Sequence, residues 1–375
     1  MEAVTKRHFF HHGPDQEVAI EERQNCHWCQ LRSFRTHKTL PVTIVNDTGD
    51  GQVLPSNFRF IERSVLGAGV PPTADEFRYG CDCPDEDSCM YAGCACLDEM
   101  AGSDDDQEDS MTGELDKEDE EPEWARQRGS RQSSRDDAAP SPAPAADTGK
   151  QLRKKRFAYH SQGAKAGLLR GSELENSRAP IYECHEGCRC SKAGCPNRIV
   201  ERGRQVPLQI FRTDNRGWGV KTMRALKRGQ FVDCYLGEII TPSEAERRRH
   251  NASKAQRKDV YLFALDKFTD PESNDLRLRG APLECDGEFM SGPTRFINHS
   301  CEPNLRIFAR VGDHADKHIH DLALFAIEDV QKDEELTFDY VDGQGEIASN
   351  ARDAALQGEM TRCLCGSEKC RGYLW

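Results

Sequence analysis

Two stretches, CDCPDEDSCMYAGCAC at residues 81–96 and CHEGCRCSKAGC at residues 184–195, hold nine of the chain's seventeen cysteines. The first is spaced Cys81-x-Cys83, Cys89, Cys94-x-Cys96, and the second Cys184, Cys188-x-Cys190, Cys195. Structural zinc takes four thiolates in a tetrahedron. Two independent sites would use eight thiols and strand one. Three ions need twelve bonds, which nine thiolates supply if three of them bridge two metals each. Such a cluster carries a formal charge of −3, so backbone N–H groups and basic side chains are expected around it. The C-x-C spacing suits a compact shared cluster better than a zinc-finger knuckle. Nine thiols crowded into two short stretches argue against buried free cysteines.

Outside these stretches, Cys363-x-Cys365 and Cys370 supply three ligands. Cys301, in Asn298-His299-Ser300-Cys301, is the best candidate for the fourth, which would fasten the C-terminal tail across whatever Asn298 and His299 line. Cys234 and Cys285 sit in strand or loop context and read as core thiols. The Cys26/Cys29 pair has no visible partners beyond His27 or His37, and metal binding is the lesser reading there.

Metal chemistry is preferred to disulfides because of the compartment that the rest of the chain suggests. The opening MEAVTKRHFFHHG has no apolar secretory core. The longest apolar run, Leu322 to Ile327, is far below the roughly 20 residues of a membrane span. An intracellular chain without membrane contact is expected, and disulfides are poor candidates in a reducing compartment. At 375 residues and 37% hydrophobic content, the chain can fill at least one real core.

Between Asp98 and Glu123 lie fourteen acidic residues and one lysine, Lys117, a local charge of −13 that equals the net charge of the whole chain. The remainder is near neutral, so the acidic balance does not exclude a basic partner. Next come Arg126, Arg128, Arg131, Arg135 and the run AAPSPAPAA, too poor in apolar groups to offset ordering entropy. Disorder is expected over about 100–150. The cluster Lys150, Arg153, Lys154, Lys155, Arg156 reads equally as a nuclear-import or phosphate-binding patch and as a solvated linker end, leaving direct DNA contact open.

Strands are expected at Thr39 to Val45, Gln230 to Ile240, Val260 to Leu265, Leu322 to Ile327 and Glu335 to Tyr340. Thr241-Pro242-Ser243-Glu244 predicts a helix start with Thr241 as N-cap, running on through AERRRHNASKAQR.

Together these residues resemble a known family, the SET-domain histone-lysine N-methyltransferases. The nine-cysteine block is similar to the pre-SET region. Arg216-Gly217-Trp218-Gly219 resembles the opening SET motif, RFINHSC at 295–301 and ELTFDY at 335–340 its two signature motifs, and Cys363-x-Cys365-x4-Cys370 the post-SET tail. The chain looks like the fungal histone H3 lysine-9 trimethyltransferases of the "defective in methylation" type. The resemblance implies a mostly β (α+β) fold of small curved sheets with a knot-like crossing. It divides the chain into an N-terminal segment 1–60, a pre-SET region 61–203 with the acidic insert, a SET domain 204–341 and a post-SET tail 342–375. Three zinc ions in the pre-SET cluster and one in the tail are implied, with S-adenosylmethionine as methyl donor and the histone H3 N-terminal tail as substrate in nuclear chromatin. No recruiting module is recognisable before the catalytic part, so recruitment is expected from partner proteins.

The resemblance assigns catalysis to Tyr340, assisted by Tyr235, with Phe338 at the position that sets the product. Phenylalanine there leaves room where tyrosine would hold a water, which favours trimethylation. Cofactor contacts are implied for Arg216, Gly217, Trp218, Tyr261, Arg295, Asn298, His299, Leu364 and Trp375. The physical demand behind these roles is a neutral amine. A free lysine has a pKa near 10.4, so deprotonation at pH 7 costs about 4.6 kcal/mol. A narrow apolar channel beside a positive sulfonium lowers that cost, and tyrosine hydroxyls can orient the lone pair. A zinc-stabilised chromatin-binding scaffold with an inactive pocket is the alternative. It would not need Tyr340, Asn298 and the tail cysteines.

Overall fold

Short strands separated by long connections carry most of the ordered backbone in the computed structural model. It describes residues 20–74, 80–98, 156–175, 179–251, 261–312, 316–342, 351, 353, 357 and 360–374. The expected disordered insert, the basic cluster except Arg156, the expected helix beyond Asn251, and Trp375 lie outside the described residues.

In chain order the strands are β1 Val42–Val45, β2 Arg59–Phe60, β3 Val65–Leu66, β4 Ile181–Tyr182, β5 Leu208–Arg212, β6 Trp218–Thr222, β7 Phe231–Tyr235 and β8 Glu238–Ile240. They continue with β9 Leu262–Ala264, β10 Glu284–Asp286, β11 Met290–Ser291, β12 Asn298–His299, β13 Leu305–Val311, β14 Asp321–Ala326 and β15 Glu335–Phe338. The largest sheet runs β1-β5-β6-β15-β13-β14-β7, with β12 on β15 and β4 on β13; β3-β8-β10-β9 and β11-β2 form two smaller ones. Among the described residues the helices are few, and the longest is Pro242–Asn251. Its start follows the expected chemistry: the Thr241 hydroxyl accepts from the Glu244 N–H at 3.3 Å, and Pro242 takes the first helical position.

One sequence expectation is corrected. Gln230 to Ile240 is not a single strand but β7 and β8, in different sheets, divided at Leu236-Gly237. A Cβ on Gly237 would lie 2.4 Å from the Asp286 carbonyl oxygen, so the two sheets come together where only glycine fits. Hydrophobic pattern continues across such a break and conceals it.

β15, made near the end of the SET region, is placed centrally. It runs antiparallel to β6 through Glu335 opposite Lys221, and parallel to β12 and β13 through Phe338 opposite His299 and Leu305. That pairing brings ELTFDY beside RFINHSC. The segment before residue 61 is also part of this body. β1 lies parallel on β5, and Trp28 and Leu31 from the helix His27–Ser33 are buried with Ile44, Leu208, Val220 and Leu336.

A second core surrounds the clustered cysteines and includes Phe157, Tyr159, Leu169, Phe308 and Phe325. An ionic group is buried within this second core. Glu183, beside Cys184, accepts from the N–H groups of Ile199, Val200 and Glu201 and from the Tyr159 hydroxyl, and pairs with Arg310 of β13 at 3.1 Å. Both side chains of that pair are buried, so removing either one strands a charge in low dielectric.

Candidate methyl-transfer site and thiolate centres

The thiols converge as their spacing predicts. Cys81, Cys94, Cys96 and Cys184 form one four-sulfur group; Cys81, Cys184, Cys188 and Cys190 a second; Cys81, Cys83, Cys89 and Cys94 a third; Cys89, Cys184, Cys190 and Cys195 a fourth, all with sulfurs within 4.8 Å. The groups overlap, and Cys81 and Cys184 each belong to three of these four, so shared ligands are built into the geometry. Cys81 Sγ lies 3.8 Å from both Cys89 Sγ and Cys184 Sγ, and Cys94 Sγ lies 4.0 Å from Cys184 Sγ. A tetrahedron with Zn–S bonds of about 2.3 Å has an edge of about 3.8 Å. The separations suit that edge and far exceed a disulfide bond.

Donors surround the sulfurs. The N–H groups of Cys81 and His185 point at Cys188 Sγ at 3.4 and 3.2 Å, the Asn197 amide at Cys184 Sγ at 3.7 Å, and Arg198 at Cys190 Sγ at 3.3 Å. These are the groups that a −3 cluster needs nearby.

The tail gathers the other set. Cys301, Cys363, Cys365 and Cys370 bring their sulfurs within 4.8 Å of one another. Leu374 N–H donates to Thr361 O and Cys363 N–H to Gly372 O, closing a hairpin around them. Cys285 is a buried core thiol, and Cys234 is partly buried in β7. Cys26, just before the helix His27–Ser33, and Cys29 within it are both partly exposed.

Beside the tail thiols opens a cavity of about 330 Å³, lined by Arg216, Gly217, Trp218, Tyr261, Arg295, Asn298, His299, Tyr340 and Leu364 together with Pro55, Phe296, Arg362, Cys363, Cys365 and Leu374. All the residues singled out for the cofactor line it except Trp375, which is outside the described residues. Gly217, at φ +74°, adopts the left-handed conformation that lets the β5–β6 connection turn tightly beneath the cavity. The Glu335 carboxylate accepts from Arg216 at 2.6 Å and from Asn298 at 2.9 Å, and so sets both. Arg295 lies over the Tyr261 ring at 4.0 Å.

Tyr235 and Phe338 do not line the cavity. They lie behind it in a row of rings: Tyr235 to Phe263 at 4.5 Å, Phe263 to Phe338 at 5.8 Å, Phe338 to Tyr340 at 4.7 Å and Tyr340 to His299 at 5.4 Å. Burial raises both tyrosine hydroxyls above their ordinary range, keeping them protonated donors. Tyr235 donates to Tyr261 O at 3.1 Å and Tyr340 to Ile297 O at 2.6 Å. Burial pulls His299 down to about 4, against the opposing pull of Asp339 and with a lesser push from Arg371, so its ring is neutral and Nδ1 accepts from the Tyr340 N–H at 3.2 Å.

Phe263, Glu335, Asp339 and Arg371 were not picked out from sequence. Glu335 and Asp339 lie inside ELTFDY and Arg371 follows Cys370, so their positions were the available signal. Phe263 lay inside an expected strand with nothing to distinguish it from core.

A row of packed aromatic rings that includes Tyr340, a polar cavity beside it and a tail gathered by four thiols point to a lysine methyltransferase of the SET class. The SET domain model matches residues 217–341 and the Pre-SET motif model residues 34–198. The chain is 57% identical over 376 residues to the histone-lysine N-methyltransferase, H3 lysine-9 specific dim-5, of Neurospora crassa, covering all of both chains. It is 56% identical over 375 residues to the H3 lysine-9 specific KMT1 of Fusarium mangiferae, covering 99% of this chain and 98% of that one. The solved structure of the Neurospora SET domain protein DIM-5, a histone lysine methyltransferase, matches with a TM-score of 0.63 at 53% identity, over 87% of this chain and all of that one. The chain belongs to the SET-domain histone-lysine N-methyltransferases, which sets aside the inactive scaffold.

Proposed function

We propose that this enzyme transfers methyl groups from S-adenosylmethionine to lysine 9 of the histone H3 N-terminal tail, through to the trimethyl product, and so marks heterochromatin in the nucleus. The observation that carries the reading is the single cavity shared by the Arg216–Trp218 loop, Asn298, His299, Tyr340 and the cysteine tail. Its volume lies in the range of small-ligand sites, which run from about 300 to 1,000 Å³. The Neurospora and Fusarium relatives are H3 lysine-9 specific, which supports the substrate.

The bound cofactor would supply an electrophilic methyl group. Arg216, Asn298 and His299 would hold its polar end, and Trp218, Tyr261 and Leu364 would cover its apolar face, with Trp375 joining from the tail. Arg295 braces Tyr261 from below. On the lysine side, Phe263 and Phe338 keep water from the amine, and Tyr340 and Tyr235 offer fixed oxygens to its N–H groups. Three zinc ions in the nine-thiol cluster and one held by Cys301, Cys363, Cys365 and Cys370 suit the sulfur spacings. The reading is tested by mass spectrometry of an H3 tail peptide incubated with enzyme and S-adenosylmethionine, beside a peptide carrying arginine in place of lysine 9. Equal methylation of both peptides overturns the site assignment.

Phe338→Tyr is expected to shift the product from trimethyl toward mono- and dimethyl lysine by about tenfold, equivalent to about 1.4 kcal/mol. The new hydroxyl would hold a water in the space beside Tyr340 where the growing ammonium must turn. A variant that still trimethylates as well as the parent refutes the role given to Phe338.

Chelation is expected to lower activity by about tenfold or more, because four of the cavity-lining residues lie between Arg362 and Cys365 on the thiol-held tail. Zinc should restore it. Activity unaffected by chelation, with the tail metal shown to be gone, would contradict the link between metal and pocket.

A further inference from the structure

The cavity has two walls. One comes from the SET strands and carries His299 and Tyr340; the other comes from the tail and carries Cys363, Leu364, Cys365 and Leu374. The thiols join them at one point. A second fastening stands beside it: Arg371, next to Cys370, grips the Asp339 carboxylate with both terminal nitrogens, at 2.7 and 2.6 Å. The pair is mostly shielded, with side-chain exposures of 14% and 15%. A planar, two-bond guanidinium–carboxylate contact in such a setting fixes orientation as well as distance.

Asp339 is well placed to transmit that constraint. It precedes Tyr340 directly, accepts from the Val341 N–H at 3.1 Å, and lies 3.5 Å from His299 Nδ1. Arg371 also reaches the other side of the same ring, 3.4 Å from His299 Nε2, and its backbone N–H points at Cys301 Sγ at 3.3 Å. One residue therefore touches the tail thiols, the imidazole and the carboxylate beside Tyr340.

We propose that Arg371 is a positioning residue whose ion pair with Asp339 latches the tail wall onto the Tyr340 wall, so that the cofactor cavity closes only when both the latch and the thiolate site are in place. This rests on the cofactor reading above and goes beyond it. Four thiolates around one ion fix the base of the tail hairpin, yet leave it a hinge. The latch removes that freedom at the wall that carries Leu364 and Leu374.

The test compares Arg371→Gln, Asp339→Asn and the double variant in the full-length zinc-loaded protein, with S-adenosylmethionine binding measured by calorimetry and zinc by elemental analysis. Each single change should weaken cofactor binding and raise its KM about tenfold, leave kcat at saturation within about threefold, and keep the zinc content of the parent. The double variant should be no worse than either single change, because both remove the same contact. Arg371→Lys, which keeps the charge but loses the fork, should recover only part of the loss. Binding within twofold of the parent in Arg371→Gln, independent losses that multiply to about a hundredfold in the double variant, or zinc loss that accounts for the effect, would each overturn the latch. Failure of the H3 reading is distinguishable, because the calorimetric comparison needs no peptide.

Discussion

Tyr340→Phe lowers kcat at saturating peptide by about 100-fold or more, the scale set by losing a positioned proton-transfer or orienting group. Only the hydroxyl goes. The ring keeps its contacts with Phe338 and His299, so folding and cofactor binding should stay near those of the parent. In the native site the Tyr340 hydroxyl donates to Ile297 O, so its oxygen can serve as an acceptor that turns the lone pair of a substrate amine toward the methyl group. Burial lifts the hydroxyl above its ordinary range, so the tyrosine stays protonated at every pH at which the free lysine titrates. The value of kcat/KM should therefore rise with pH toward the free-lysine pKa near 10.4, without a falling limb from Tyr340. Single-turnover transfer from labelled S-adenosylmethionine to an H3 tail peptide measures it, and a variant within tenfold of the parent would remove Tyr340 from the chemistry.

Cys184→Ser, like Cys81→Ser, should be among the most damaging single changes to the fold. Its sulfur belongs to three of the four-thiol groups, so its loss strips a ligand from more than one metal position at once. Structural zinc contributes about 10–16 kcal/mol in small domains, against a net stability of about 5–15 kcal/mol for a typical protein. The variant should lose most of the cluster metal and fail to accumulate as soluble folded protein. Circular dichroism and zinc analysis read both effects, with Cys26→Ser as the control expected to keep its metal. A soluble Cys184→Ser variant with full zinc content would disprove the shared cluster.

The parts of this molecule that were legible in sequence are those in which residue type alone limits the chemistry. Nine crowded thiols have few physical explanations, and Thr241-Pro242 has few structural ones. The site residues were legible only as a set. Tyr340 and Tyr261 by themselves are aromatic residues in or near strands, and most such residues are core. The break at Leu236-Gly237 was hidden because the apolar pattern continues on both sides of it. Trp28 and Leu31 were hidden for another reason: their partners, Ile44, Leu208 and Leu336, are brought to them by tertiary pairing that no local period reports. Glu335 and Arg371 act through ion pairs across 119 and 32 residues, respectively, beyond the reach of any sequence window.

The central place of β15 has a consequence for synthesis. Its partner on one side, β6, leaves the ribosome 114 residues earlier, counted from Lys221 to Glu335. At translation rates of about 5–20 residues per second, that strand edge waits roughly 6–23 s for the partner that covers it. Until then β6 presents unpaired backbone on that side to the cytosol, as an open sheet edge does. A nascent chain stalled before Glu335 would carry all nine pre-SET thiols and a sheet still missing its middle. For this enzyme, protection by chaperones is needed most late in translation, when nearly all of the chain has already been made.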